Sequence, residues 1–218
     1  MNQADLVALI RDGVDGPAGR WADLGAGEGA FTLALAELLG PGAHITAVDR
    51  DAGAVRQLAQ EMGKRLPRAT VETKVADFTR PLDLSALDGI VMANSLHFVR
   101  DKGPVLDAVR EMLRPGGRLV VVEYGTDRGN SWVPHPFSYP RWERMAAQAG
   151  FEKTHLLRTI PSRHLGSMYS AVSERRSRRP ATAPALPPRG HAGRVHGATR
   201  ARSSREGCRR SSARRPRG

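Results

Sequence analysis

From residue 21 to about 172, short apolar and β-branched runs alternate with stretches whose apolar residues recur at helical spacing. Strands that alternate with helices in this way predict an α/β domain with a parallel sheet covered on both faces. The strand-like runs fall at 20–24, 44–48, 70–75, 89–93 and 118–123, and two further β-like runs follow at 154–160 and 167–172. Between the first two, Phe31, Leu35 and Leu38 are spaced for one helical face, and Gly40-Pro41-Gly42 ends that helix. Further helices are expected at 52–64, 105–113 and 141–149, the last stopped by Gly150. The unbroken Leu-Val-Val-Val of 119–122 has the character of a central strand buried on both sides, and Arg114-Pro115-Gly116-Gly117 reads as the turn into it.

The pattern stops at 173. Residues 174–218 hold 14 Arg and no Lys, and Leu186 and Val195 are their only aliphatic residues larger than alanine. Such a segment has no apolar surface with which to build a core, so the expected organisation is a folded domain over 1–173 and a disordered basic tail over 174–218. Its composition is that of GC-rich codons, which a natural basic tail and a shift of reading frame near Ser173 would both produce. The tail also accounts for the charge. Of 34 basic and 22 acidic residues it takes 14 and 2, leaving 20 of each in 1–173, so the formal +12 belongs to the tail alone. Attraction to nucleic acid is therefore expected through the tail and not through the domain. Cys208 is the single cysteine, which excludes an intramolecular disulfide and a cysteine metal cluster, and no metal site is expected. No apolar run reaches the roughly eighteen residues of a membrane span and the first residues lack a leader pattern, so a cytoplasmic protein without membrane insertion is expected.

The chemistry gathers at the ends of the predicted strands. Asp23-Leu24-Gly25-Ala26-Gly27-Glu28-Gly29 sits at a strand-to-helix junction, where glycines let the backbone turn tightly and lie against a nucleotide-like ligand. Its spacing is G-x-G-x-G with an acid two residues ahead, whereas dinucleotide loops read G-x-G-x-x-G, which argues against NAD. Asp49 ends the second strand, where a carboxylate can accept both hydroxyl protons of a ribose. Asp77 follows the third, placed to accept from an adenine amino group, with Phe78 as an apolar flank for the base. One acid at a strand end is ordinarily just solvated; three at the ends of successive strands, with a glycine loop between the first two, form a constellation.

Past the fourth strand His97 stands near Asn94, placed either to deprotonate an acceptor or simply to pack. After the fifth comes an aromatic stretch stiffened by Pro134, Pro136 and Pro140, in which Trp132, His135 and Tyr139 either wall a substrate pocket or pack on the body.

Residues 20–173 resemble the class I S-adenosylmethionine-dependent methyltransferases. Ala22-Asp23-Leu24-Gly25-Ala26-Gly27-Glu28-Gly29 is similar to their first motif, Ala47-Val48-Asp49 to the acidic second-strand motif, and Ala76-Asp77-Phe78 to the third. The segment 87–98 resembles their fourth-strand region, and 113–119 the turn before strand five. The resemblance implies a Rossmann-like, doubly wound, mostly parallel seven-stranded sheet with the last strand antiparallel, and S-adenosyl-L-methionine as cofactor. It implies that Gly25, Gly27 and Gly29 line the methionine portion and that Asp23 helps hold the ammonium. Asp49 would take the ribose, Asp77 and Phe78 the adenine, and Asn94 would join the cofactor contacts. Arg50, next to the ribose acid, would stack on the adenine or face solvent. No Asp-Pro-Pro-Tyr type sequence follows strand four, so nothing points to the subclass acting on exocyclic base amines.

The expected function is methyl transfer to a small-molecule acceptor, with His97 as the candidate base and Trp132, His135 and Tyr139 on the substrate side. Two alternatives stand beside it. One is an RNA-associated methyltransferase or RNA-binding protein that uses the tail, although the tail has no aromatic residue to stack on bases. The other is a nicotinamide-dependent oxidoreductase, disfavoured by the loop spacing and by Asp77, which such a fold does not need.

Overall fold

The strand-and-helix pattern begins near residue 21, but the ordered chain begins earlier, in α1 (Gln3–Ile10). A capping box fixes its start: the Asn2 side chain accepts from the Asp5 N–H at 2.9 Å, and the Asp5 carboxylate accepts from the Asn2 N–H at 3.0 Å. In this computed structural model, residues 1–65, 70–162 and 164–177 are described. The expectation of a disordered tail therefore falls, beyond Ser177, outside the described residues, as does any nucleic-acid contact made through it.

The elements that follow are β1 (Gly19–Leu24), α2 (Ala30–Leu39), β2 (Ala43–Asp49), α3 (Ala52–Arg65), β3 (Thr70–Val75) and β4 (Leu87–Ala93). Then come α4 (Gly103–Met112), β5 (Leu113–Tyr124), α5 (Tyr139–Gln148), β6 (Phe151–Ser162) and β7 (Gly166–Arg175). Seven strands form one sheet in the order β3-β2-β1-β4-β5-β7-β6. Strands β1 to β5 pair in parallel, and β7 runs antiparallel to both β5 and β6. This is the Rossmann-like sheet with an antiparallel last strand. The order reverses between β1 and β4, which opens a crevice at the carboxyl ends of the strands.

The Leu119–Val122 run is apolar throughout because both faces are covered. Leu119 and Val121 join the core under α4 and α5, with Phe137, Trp142 and Tyr169, while Val120 and Val122 join the core under α1 and α2 with Trp21. The expected turn at 114–117 lies inside β5 as a bulge: Leu113 pairs with Leu87 and Arg118 with Gly89, so the turn residues stand opposite Asp88 alone. At the far side, β6 closes the sheet with two register shifts and with Lys153 in the left-handed region. Strand β7 reaches Arg175, two residues past the boundary expected at 173. Glu174 there stays in register with Arg118 and pairs with Lys153 at 2.6 Å, and Arg175 donates to the carbonyls of Glu111 and Leu113 at the end of α4.

Candidate active site

The crevice holds a cavity of about 420 Å³ lined by Gly25, Gly27, Asp49, Asp77, Phe78 and Asn94 from the ends of β1 to β4, with Arg50 beside Asp49. Gly25 has φ +84°, and a Cβ there would lie 2.3 Å from that of Ser95, whose hydroxyl donates to the Leu24 carbonyl at 2.8 Å. Only glycine fits. Gly27 has φ +53° and no atom within 4 Å of where a Cβ would stand, so bare backbone faces the cavity.

Asp49 ties this loop to β2. Its carboxylate accepts from the Gly27 N–H at 2.8 Å and from the Asp51 N–H at 2.9 Å, and a carboxylate has lone pairs left for further donors. Asp77 accepts from the Thr79 hydroxyl at 2.7 Å and its N–H at 2.9 Å, both through Oδ1. These bonds hold its carboxyl below the ordinary carboxylate range, so it stays an acceptor.

Asp23 and Gly29 do not line the cavity. Gly29 precedes α2, where a Cβ would run into Leu58, so its place is set by packing against α3. Asp23 lies buried beneath the loop, where Thr32 of α2 donates its hydroxyl to Oδ2 at 2.6 Å. Burial pushes its carboxyl up to about 6, and Oδ1 has no hydrogen-bond partner among the described residues. Asn94, at φ 52°, likewise leaves Oδ1 buried and unpartnered among them. Within the cavity, the unpartnered Asn94 oxygen, the open glycine backbone and the Asp49 and Asp77 carboxylates fit the hydroxyls and amines of S-adenosylmethionine, while Asp23 stands behind the loop.

The side of the crevice beyond β4 is built differently. His97, on a short 3-10 turn after β4, is buried, and its Nδ1 lies 2.8 Å from Oε2 of Glu123 at the end of β5. The other Glu123 oxygen accepts from the N–H groups of Leu96 at 3.0 Å and His97 at 3.1 Å, so the buried carboxylate has three donors. The His97 ring packs 4.3 Å from that of Phe98 and 5.7 Å from that of Tyr124, centroid to centroid. Phe98 is 55 % exposed and lines the cavity, so the histidine stands directly behind its wall. With a carboxylate holding Nδ1–H, Nε2 carries the free lone pair.

The aromatic stretch after β5 divides. The His135 N–H donates to the His97 carbonyl at 3.0 Å, which fastens the stretch to the His97 turn. Trp132 is 83 % exposed at the tip of a turn whose amides are held by Asn130, and it lines no part of the cavity. Tyr139 opens α5 with its ring against Tyr169 and its hydroxyl 3.4 Å from Glu143. Sequence reasoning passed over Glu123, Phe98 and Tyr124. Glu123 reads in the sequence as an ordinary strand-end acid, and its partner stands beside it only once β4 and β5 are paired.

Residues 22–119 match a family model for a methyltransferase domain. A reducing polyketide synthase of Penicillium sp is 30% identical over 166 residues, which is 66% of this chain and 7% of that protein. A demethylmenaquinone methyltransferase of Clavibacter sepedonicus is 34% identical over 110 residues, covering 49% of this chain and 42% of that protein. The chain thus spans well under half the length of these relatives. Among solved structures, the CurJ carbon methyltransferase superposes with a TM-score of 0.62 at 21% identity, covering 77% of this chain and 51% of that one, a likeness of fold. The family match is to methyl transfer, not to the nicotinamide-dependent oxidation that stood as an alternative. Sheet order, glycine loop and strand-end acids agree with the family match: residues 22–119 carry a methyltransferase domain, on the Rossmann-like fold of the S-adenosylmethionine-dependent methyltransferases, with S-adenosylmethionine as the cofactor that fold takes.

Proposed function

We propose that this chain methylates a small molecule at an atom that must first lose a proton, an enolisable carbon or an enolic or phenolic oxygen, with His97 as the base. The observation that carries this reading is the buried His97–Glu123 pair behind Phe98. S-adenosylmethionine supplies a methyl group on a good leaving group, so alignment and exclusion of water provide most of the rate for any acceptor already nucleophilic. A protonated acceptor needs more. Nε2 of His97 takes its proton, while Glu123 keeps Nδ1–H in place and stabilises the imidazolium that forms. Gly25, Gly27, Asp49, Asp77, Phe78 and Asn94 hold the cofactor from the β1–β4 side, with Asp23 behind the loop. Phe98 and Tyr124 flank the histidine and form the apolar approach to it. The activities of the relatives support acceptors of this kind, since they include polyketide synthesis, demethylmenaquinone methylation and carbon methylation.

The test supplies the full chain with labelled S-adenosylmethionine and three acceptors: a β-ketoacyl thioester, a hydroquinone, and an aromatic amine, which is uncharged at neutral pH and nucleophilic without a base. Label is expected on one of the first two, at a rate that His97→Ala lowers by about 10²–10⁴. Transfer to the amine alone, or full turnover in His97→Ala, would overturn the assignment.

A further inference from the structure

Lys102 is only 8 % exposed, although it is a lysine at the N-terminal cap of α4. Its ammonium donates to the Val99 carbonyl at 2.8 Å and to the His135 carbonyl at 3.0 Å, and it lies 5.0 Å from the centroid of the buried Phe137 ring. Both carbonyls belong to segments that bound the site. Val99 lines the cavity two residues after His97, and His135 is the residue whose N–H donates to the His97 carbonyl. A closed circuit results: His97 carbonyl, His135 N–H, His135 carbonyl, Lys102 ammonium, Val99 carbonyl, and back along the chain to His97. Taking an ammonium out of water is costly, and burial does hold this one below the ordinary lysine value, with the Glu123 charge acting the other way. The Lys102 stem and head are thus spent on two backbone oxygens and an aromatic face.

We propose that Lys102 is a positioning residue for the base: by clipping the turn after β4 to the stretch after β5, it holds His97 in line with Glu123 and at a fixed depth behind Phe98. The role rests on the His97 reading above, but it is measured without turnover. Loop segments left to themselves move on nanosecond to microsecond times, and a base held only by its own turn would sample many orientations.

The experiment uses the full chain bound to S-adenosylhomocysteine, comparing wild type with Lys102→Met, Lys102→Gln and Arg141→Gln, the last a neighbouring cation outside the circuit. Two signals are read by NMR: hydrogen exchange of the His135 amide, and the downfield resonance of the His97 Nδ1 proton. In Lys102→Met the His135 amide is expected to exchange at least tenfold faster and the Nδ1 proton signal to broaden or move. S-adenosylhomocysteine affinity should stay within twofold. Lys102→Gln, a shorter donor, should fall between Met and wild type, and it decides the matter if the Met variant does not fold. Arg141→Gln should leave both signals unchanged. Wild-type exchange and an unmoved Nδ1 proton in a Lys102 variant that binds S-adenosylhomocysteine would overturn the proposal, as would equal effects from Arg141→Gln. A wild type that shows both signals but methylates only the amine would sink the base assignment and leave the clip standing.

Discussion

The two sides of the crevice solve the problem of holding charge in opposite ways. On the β1–β3 side, Asp49 and Asp77 are part-exposed; each accepts from a residue two positions further on, Asp51 and Thr79, and Asp49 also from Gly27 of the glycine loop. On the β4–β5 side, Glu123, His97 and Lys102 are buried; Glu123 takes its partners from Leu96 and His97 on the neighbouring segment, and Lys102 bridges from nearby Val99 to His135, 33 residues on. Water can stand in for a missing partner in the first case but not in the second. The first side should therefore tolerate substitution, while the second should fail as a unit.

The largest effect expected from breaking this contrast is at Glu123. Glu123→Ala strands the His97 Nδ1–H and two backbone N–H groups in the interior, and should destabilise the fold by about 3–5 kcal/mol in urea denaturation. A loss under 1 kcal/mol would mean that water reaches the pair. Next comes the acid that belongs to neither class. Asp23 lies on the tolerant side but is buried, and its carboxyl is raised from 3.8 to about 6 in the folded chain. The folded state then holds that proton more tightly than the unfolded state. The stability it contributes is complete below about pH 4 and is lost as pH rises through about 6, at most about 3 kcal/mol. Denaturation at pH 4 and pH 7.5 should show wild type losing roughly this amount relative to Asp23→Asn, and parallel curves would contradict it.

At Asp49 the effect should be confined to binding. Asp49→Ala is expected to weaken S-adenosylhomocysteine by about 1–3 kcal/mol in calorimetry while the melting temperature changes little, since solvent can reach the amides it abandons. A large drop in stability would show that the tolerant side is not tolerant. The smallest effect concerns the end of β7. A chain cut after Ser173 should be about 1 kcal/mol less stable than one cut after Ser177, because only the former loses Glu174 and the Arg175 bonds to the end of α4. Equal melting would return the domain boundary to 173.

The same contrast explains what could be read from the chain. Strands β1 to β5 were legible because their apolar patterns are local, and so was the glycine loop, whose turn is dictated by residues within it. Asp49 and Asp77 were legible as strand-end acids for the same reason. The His97–Glu123 pair was not, because it exists only once β4 and β5 lie side by side; the sequence offered a histidine with two readings and an acid assigned merely to a strand end. The split among Trp132, His135 and Tyr139 was equally hidden, since it depends on which of them the Lys102 circuit catches. Helix α1 was missed although its signature is local: Asn2 and Asp5 frame a capping box, and Leu6, Val7, Leu9 and Ile10 supply its buried face.

The irregular course of β6 has a consequence for the protein in concentrated solution. A straight outermost strand offers a row of free N–H and C=O groups on which another chain can assemble. Here the register slips between Glu152 and His155 and again between Leu156 and Arg158, Lys153 takes a left-handed turn at φ 52°, and Pro161 has no N–H to donate. Leu156 stays 43 % exposed on this strand, yet the backbone beside it cannot present the even ladder that cross-β growth needs. The outer strand is thus guarded against fibril formation by its own backbone geometry.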